Sequence, residues 1–458
     1  MTGLPAPSMF RWVKPLAMAF ALAGLAAFYY LGATEHARIL NTERGRADQS
    51  GYLWDAVGIH SGRHGGASGL IGERNRMPVY PWLLSWLYDP SMTPDEFFEV
   101  GKQWNIRLSL VLLGAIWLIA RCFLPPLPST SLVLAIGFGY FVFKAGYAQV
   151  ELLYYTFFFA TFVTCCRLLT ADSAAARFRW AALSGVLAAV THLTKAAVLP
   201  LVACLVAALA WQATAALLRE RRARPLAHGL LAAVIFGVCF LGVLSPYLAN
   251  SKRVFGHYFY NVNTTFYVWY DNWTLAALGT YRHGDGVGWP DLPSQAIPTM
   301  RSYWRTHDGA QIRDRVVDGM REMVVVSYQR LAYFKYVSMY LIFAGFVAVT
   351  AWPDVKAAAR RRTALLVFLL LYGTAYALAI AFYKPISGTT LRMLLAHVAP
   401  LLFAASCLFW RTGVRDRRWI LLRTPVGVEH FHALVIATVC LDVMFTLWSR
   451  VTTDFAGY

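Results

Sequence analysis

The stretch Arg46-Ala-Asp48-Gln-Ser-Gly-Tyr52-Leu-Trp-Asp55 places a carboxylate and a phenol four residues apart. On a helix Asp48 and Tyr52 share a face, and a carboxylate beside a phenol can hold a hydroxyl nucleophile and take its proton. The same Asp48 also suits the N-cap of an interfacial helix beginning near Gln49, which is the commoner use of an Asp before a helix. Spacing leaves both open. Asp55 falls on the opposite turn and is expected to be solvated.

Four further places carry charge where apolar sequence surrounds it. Glu73, Arg74 and Arg76 flank a prolyl turn that leads into Trp82-Leu-Leu-Ser-Trp86-Leu-Tyr88. Arginines at a rigid turn can clamp a phosphate through bidentate bonds, or they can bind lipid headgroups or pair with Glu73. Glu151 stands at the start of an apolar run. A charge at a bilayer centre costs about 2.5–3.5 kcal/mol on insertion scales, so a partner is expected, and Lys144 is the nearest in sequence. Lys195, in Thr191-His192-Leu-Thr-Lys195, and Arg392, in Lys384-Pro-Ile-Ser-Gly-Thr-Thr-Leu-Arg392, follow apolar stretches. Each can snorkel to headgroups or hold an anion, and Arg392 would have a helix N-terminus beside it. His192 has no second histidine at ligand spacing and reads as a packing residue.

The elements that must position these residues follow from composition. Of 458 residues, 58% are apolar and 14% charged, against roughly 45–50% and 25% in soluble domains. Mean hydropathy is +0.47. Apolar stretches of membrane-spanning length recur near 13–32, 106–124, 131–149, 150–169, 180–194, 196–218, 226–247, 332–352, 363–383, 393–410 and 430–449. The fold class expected is an all-α polytopic membrane protein with about eleven transmembrane helices, 180–218 being either two helices or one broken element. The first stretch, after Arg11 and Lys14, reads as an uncleaved signal anchor.

The net charge of +18 decides orientation once it is located. Arg167, Arg177, Arg179, Arg219, Arg221, Arg360, Arg361, Arg362, Arg411, Arg415, Arg417 and Arg418 fall in connectors that alternation puts on one side, the cytoplasmic one by the positive-inside rule. The two large polar segments, 33–105 and 248–331, are then extracytoplasmic, and so are Asp48, Lys195 and Arg392. A charge so distributed needs no nucleic acid as partner. All seven cysteines lie in or beside apolar spans, which gives neither a disulfide framework nor a cysteine zinc site. His283, Asp285, Asp291, His307 and Asp308 fit no metal-ligand spacing, and no phosphate-binding glycine loop is present.

One N-terminal helix, a long outer loop with Asp48-x-x-x-Tyr52, and then Glu73-Arg-Asn-Arg76-Met-Pro-Val-Tyr-Pro-Trp82-Leu-Leu resemble the GT-C membrane glycosyltransferases. The branch they are most similar to is that of the protein O-mannosyltransferases and lipid A aminoarabinose transferases. Where that family carries an acidic or His residue before Pro-Pro, this chain has Asn75-Arg76-Met77-Pro78, so its second acid is either Glu73, displaced by two residues, or absent. The resemblance implies one membrane-embedded transferase domain over 1–458. It implies Asp48 as catalytic base, with Tyr52, Glu73, Arg76, Glu151, Lys195 and Arg392 as substrate-binding residues, Lys195 and Arg392 meeting the lipid phosphate.

For function the same resemblance implies transfer of a sugar from a polyprenyl-phosphate donor to a lipid, glycan or protein acceptor, inverting in a single displacement. The site would face outward from a bacterial cytoplasmic membrane, with membrane lipids as partners and no cofactor, divalent metal dependence being left open. Two other classes stay in view: a polytopic transporter or lipid flippase, for which paired halves and midplane charges would speak, and a non-catalytic subunit of an envelope complex. Asp442 reads as the clearest isolated charge deep in a span.

Overall fold

The structure is a computed structural model that describes residues 10–62, 76–220, 223–286, 288–387, 390–421 and 423–453. It is mainly helical, and its only strands among the described residues form a hairpin of two three-residue strands, Trp419–Leu421 and Thr424–Val426, paired antiparallel with Ile420 opposite Pro425. The helices are α1 (Phe10–Leu40), α2 (Gln49–His60), α3 (Val79–Ser85), α4 (Pro94–Arg121), α5 (Pro126–Lys144), α6 (Glu151–Leu169), α7 (Ala174–Thr194), α8 (Leu199–Glu220) and α9 (Ala223–Phe255). After short helical turns come α10 (Gly309–Gln329), α11 (Leu331–Thr350), α12 (Trp352–Arg361), α13 (Thr363–Ser387), α14 (Leu391–Leu395), α15 (Val398–Trp410), α16 (Val428–Phe445) and α17 (Leu447–Thr452).

Among the described residues eight helices are long and apolar enough to cross a membrane: α4, α5, α6, α9 from Ala227, α11 from Tyr333, α13, α14 with α15, and α16. The other three expected spans are helices as well, α1, α7 and α8, of 31, 21 and 22 residues. The chain at 180–218 is therefore two helices, broken at Lys195, whose backbone is extended (φ −158°, ψ 129°). Helix length and apolar content, with almost no strand, make this an all-α multi-pass integral membrane protein.

Local chemistry explains several boundaries. α4 starts at a capping box in which Thr93 accepts from the Glu96 amide and Glu96 accepts from the Thr93 amide, with Pro94 preset at the first position. α5 widens into a π-helical stretch at Gly137–Phe141, a register surplus of the kind often found near functional sites. α7 and α9 cross at Gly185, where an added Cβ would stand 2.5 Å from the Phe236 carbonyl oxygen. Gly146 lets the turn after α5 press on α1, since its Cβ would meet that of Ala37 at 2.5 Å.

Two expectations about solitary aspartates are overturned. Asp442 is not isolated: it contacts the Lys335 ammonium and accepts a 2.5 Å hydrogen bond from the Tyr336 hydroxyl. Asp55 is not solvated but 3% exposed, because α2 turns that face toward the chain entering α3.

Candidate functional site

The residues chosen for chemistry sit at helix ends held together by a polar lattice. The turn 145–150 between α5 and α6 is fixed by Asn105, whose amide donates to the Ala145 and Tyr147 carbonyls at 3.0 and 2.7 Å. Asn41, at the end of α1, and Gln49 exchange side-chain amide bonds of 2.9 and 2.7 Å. Asn41 also donates to the Gly146 carbonyl, and Gln49 Oε1 accepts from the Ala148 amide. Lys102 Nζ donates to the Asn41 carbonyl at 3.0 Å. All four side chains are buried, and each such bond adds about 1 kcal/mol net, while a lost partner costs about 1–3 kcal/mol. This lattice ties α1, α2, α4 and the start of α6 into one support.

On that support the backbone at Ala47 and Asp48 is left-handed, with φ of 61° and 66°. A non-glycine residue held there costs of order 1–3 kcal/mol. Asp tolerates it better than Ala because its short polar side chain can bond locally. The Gln149 amide donates to the Ala47 carbonyl and helps hold the turn. Asp48 occupies the N-cap position of α2, yet its side chain makes no capping bond. The left-handed turn aims the carboxylate elsewhere, so the capping alternative describes its position and not its contacts.

The carboxylate of Asp48 is 62% exposed and lies 3.4 Å from the Arg392 guanidinium, 344 residues away. Arg392 also stands 3.4 Å from Glu151 Oε1, which Lys195 Nζ reaches at 3.2 Å. The Tyr155 hydroxyl donates to the Arg392 carbonyl at 2.7 Å and anchors α14 against α6. Glu151, the first residue of α6, is 3% exposed. Its partners are Lys195 and Arg392, in place of the expected Lys144, which α5 buries with its ammonium 5.7 Å from the Tyr147 ring. Glu151 Oε2 is buried without a hydrogen-bond partner.

Tyr52 packs edge-on against Tyr80, ring centroids 5.3 Å apart, and the Tyr80 hydroxyl donates to Asn105 at 3.3 Å. Burial pushes the Tyr52 phenol well above the usual tyrosine range, and the nearby Glu151 charge pushes the same way. Tyr52 therefore stays neutral and forms a wall beside the charged cluster. Arg76 donates to the buried Asp55 at 2.5 Å and overlies Gly51, whose added Cβ would meet its guanidinium. Glu73 lies outside the described residues.

Four of the seven residues selected from sequence, Asp48, Glu151, Lys195 and Arg392, thus meet from four separate stretches, with Tyr52 and Arg76 beside them. Sequence reasoning missed Asn41, Lys102, Asn105 and Gln149, polar residues within or next to apolar helices, a pattern that itself points to internal bonding. His192, expected as packing, lies between Tyr247 and Phe259. Among the described residues no group of three or more His, Cys, Asp or Glu could hold a metal.

The arrangement pairs a solvent-facing carboxylate, able to accept a proton, with two cations able to face an anion, and a buried carboxylate that fixes the cations. Fold and composition together define a multi-pass integral membrane protein. No family model and no curated protein matches the sequence. Among solved structures the apo oligosaccharyltransferase of Archaeoglobus fulgidus is similar at a TM-score of 0.46 and 11% identity, over 94% of this chain and 56% of that one. The chain spans little more than half the length of that neighbour, and at this depth the likeness carries no argument about chemistry.

Proposed function

We propose that the protein is a GT-C type glycosyltransferase that moves a sugar from a polyprenyl-phosphate donor to a hydroxyl-bearing acceptor at the outer surface of a bacterial cytoplasmic membrane. The observation that carries this reading is the meeting of Asp48, Glu151, Lys195 and Arg392 at one end of the helix bundle. The segment 33–105 supplies the base, and 248–331 lies over the same end: Arg315 donates to the Val268 and Phe382 carbonyls at 3.0 and 2.8 Å, joining that segment to the end of α13.

In this mechanism Asp48 takes the proton from the acceptor hydroxyl as its oxygen bonds to the anomeric carbon. The bond from that carbon to the phosphate oxygen breaks in the same step, inverting the centre, and its electron pair leaves with the polyprenyl phosphate. Lys195 and Arg392 face the phosphate, whose charge grows as the bond breaks, and fixed cations aimed at growing charge are a large source of rate. Glu151 keeps both cations aimed, and its unpartnered oxygen is placed to accept from a sugar hydroxyl. Tyr52, Arg76 and Glu73 border the donor.

General-base catalysis contributes about 10²–10⁴-fold. Purified protein given a labelled polyprenyl-phosphate sugar and membrane acceptors is expected to release polyprenyl phosphate, and Asp48→Asn is expected to lower that release by about 10²–10⁴-fold with unchanged thermal stability. Wild-type turnover in Asp48→Asn would remove Asp48 as the base. Absence of release from the wild type under all donors would favour a transporter or a non-catalytic subunit.

A further inference from the structure

The opposite ends of the same helices border an open cavity of about 980 Å³ whose lining includes Arg167, Arg177, Arg361, Arg362, Arg411 and Arg415. Arg167 is near the end of α6 and Arg177 in the first turn of α7, while Arg361 and Arg362 precede α13 and Arg411 follows α15. α6 has 19 residues, so at about 1.5 Å per residue the cavity lies about 28 Å from Glu151. It is separate from the site above.

Two aspartates, Asp172 and Asp416, share the lining, yet none of the six arginines is ion-paired with a carboxylate among the described residues. Their neighbours show that pairing is available in this region: Arg417 bonds Asp354 at 2.7 Å and Arg418 lies 3.1 Å from Glu429. The lining arginines are held by other means. Arg167 is set between the rings of Phe123 and Trp180, at 5.1 and 5.6 Å, and its Nε is buried without a hydrogen-bond partner. Arg415 stacks on Trp410 at 5.1 Å. Gln212 donates to the Leu169 carbonyl, and its Oε1 is buried without a partner.

The positive-inside rule accounts for arginines on this side of a membrane but not for six of them converging on one concavity. Guanidinium groups so gathered repel one another, and an anion among them would relieve that repulsion. Planar, fork-shaped donors fixed by aromatic rings match phosphate oxygens. We propose that the cavity binds a phosphate-bearing anion, either the headgroup of an anionic lipid or a soluble diphosphate.

The test uses the full chain purified in uncharged detergent. Inorganic pyrophosphate is titrated by calorimetry, and retained phosphatidylglycerol is followed by native mass spectrometry. At least one of the two is expected to bind saturably, and Arg362→Gln with Arg411→Gln to weaken it by about tenfold or more, each lost contact being a charge-assisted bond. Arg301→Gln with Arg305→Gln, which removes the same charge from exposed positions elsewhere, is expected to bind as the wild type does. Arg415→Gln, a single exposed change, gives a second reading in the same direction. Pyrophosphate that displaces the lipid shows one site open to both sources; binding of only one identifies the source. The proposal is overturned if neither ligand saturates, if the cavity variants bind like the wild type, or if the distant pair weakens binding equally.

Discussion

The two ends of α6 solve the problem of charge in opposite ways. At Glu151 each cation has a carboxylate: Lys195 and Arg392 share Glu151, and Arg392 also faces Asp48. At Arg167 the cations cluster and the aspartates beside them stay unpaired with them. The first end is balanced, so a ligand must exchange with contacts already made, which suits the proposed role of placing reacting atoms. The second end holds uncompensated charge, which suits capture of an anion. Burial decides which solution is open. Glu151 is buried, and a buried carboxylate without partners would be strongly destabilising; Arg362, Arg411 and Arg415 are exposed and keep their hydration.

That contrast can be broken by substitution. The largest stability effect is expected from Glu151→Gln, which leaves Lys195 without its carboxylate and Arg392 with Asp48 alone: removing one partner of a buried ion pair costs about 3–5 kcal/mol, discounted here because the Lys195 and Arg392 side chains are 30% and 31% exposed. Reversible unfolding in mixed micelles should show a loss of about 2 kcal/mol, and a loss under about 0.5 kcal/mol would mean that the balanced end is not held by its charges. Tyr155→Phe is expected next, about 1 kcal/mol, through release of the Arg392 carbonyl, with a fall in turnover if Arg392 then drifts from Asp48. Ala47→Gly should act in the other direction. Glycine accepts the left-handed backbone, so unfolding is expected to become harder by up to about 1 kcal/mol, while a looser Asp48 lowers turnover in the same preparation. The smallest effect belongs to the other end: Arg411→Gln should stay within about 0.5 kcal/mol of wild type, and a marked loss there would show that those arginines also brace the fold.

Much of this could be read from residues alone. Apolar runs of spanning length located every long apolar helix; Glu151, Lys195 and Arg392 stood out as charges at the edges of apolar stretches, and Asp48 by its spacing to Tyr52. Their mutual contacts were not legible, since they depend on which helix ends become neighbours. Lys144 looked like the partner of Glu151 because it is near in sequence, but the turn at 145–150 separates the two. Asp48 looked like a cap because nothing in Arg-Ala-Asp announces two left-handed residues; the lattice of Asn41, Gln49 and Gln149 that holds them comes from separate stretches of chain. Asp55 and Asp442 were misjudged for the same reason, their partners Arg76 and Lys335 being distant in sequence.

The 344 residues between Asp48 and Arg392 also set an order of events during synthesis. At about 5–20 residues per second, Arg392 is made roughly 20–70 s after Asp48. Glu151 meets Lys195 much sooner, only 44 residues later, so the burden of its buried charge is relieved early by the nearer cation. Arg392 then arrives as the final piece, and a chain truncated before α14 would reach the membrane with its acid supported but its site open.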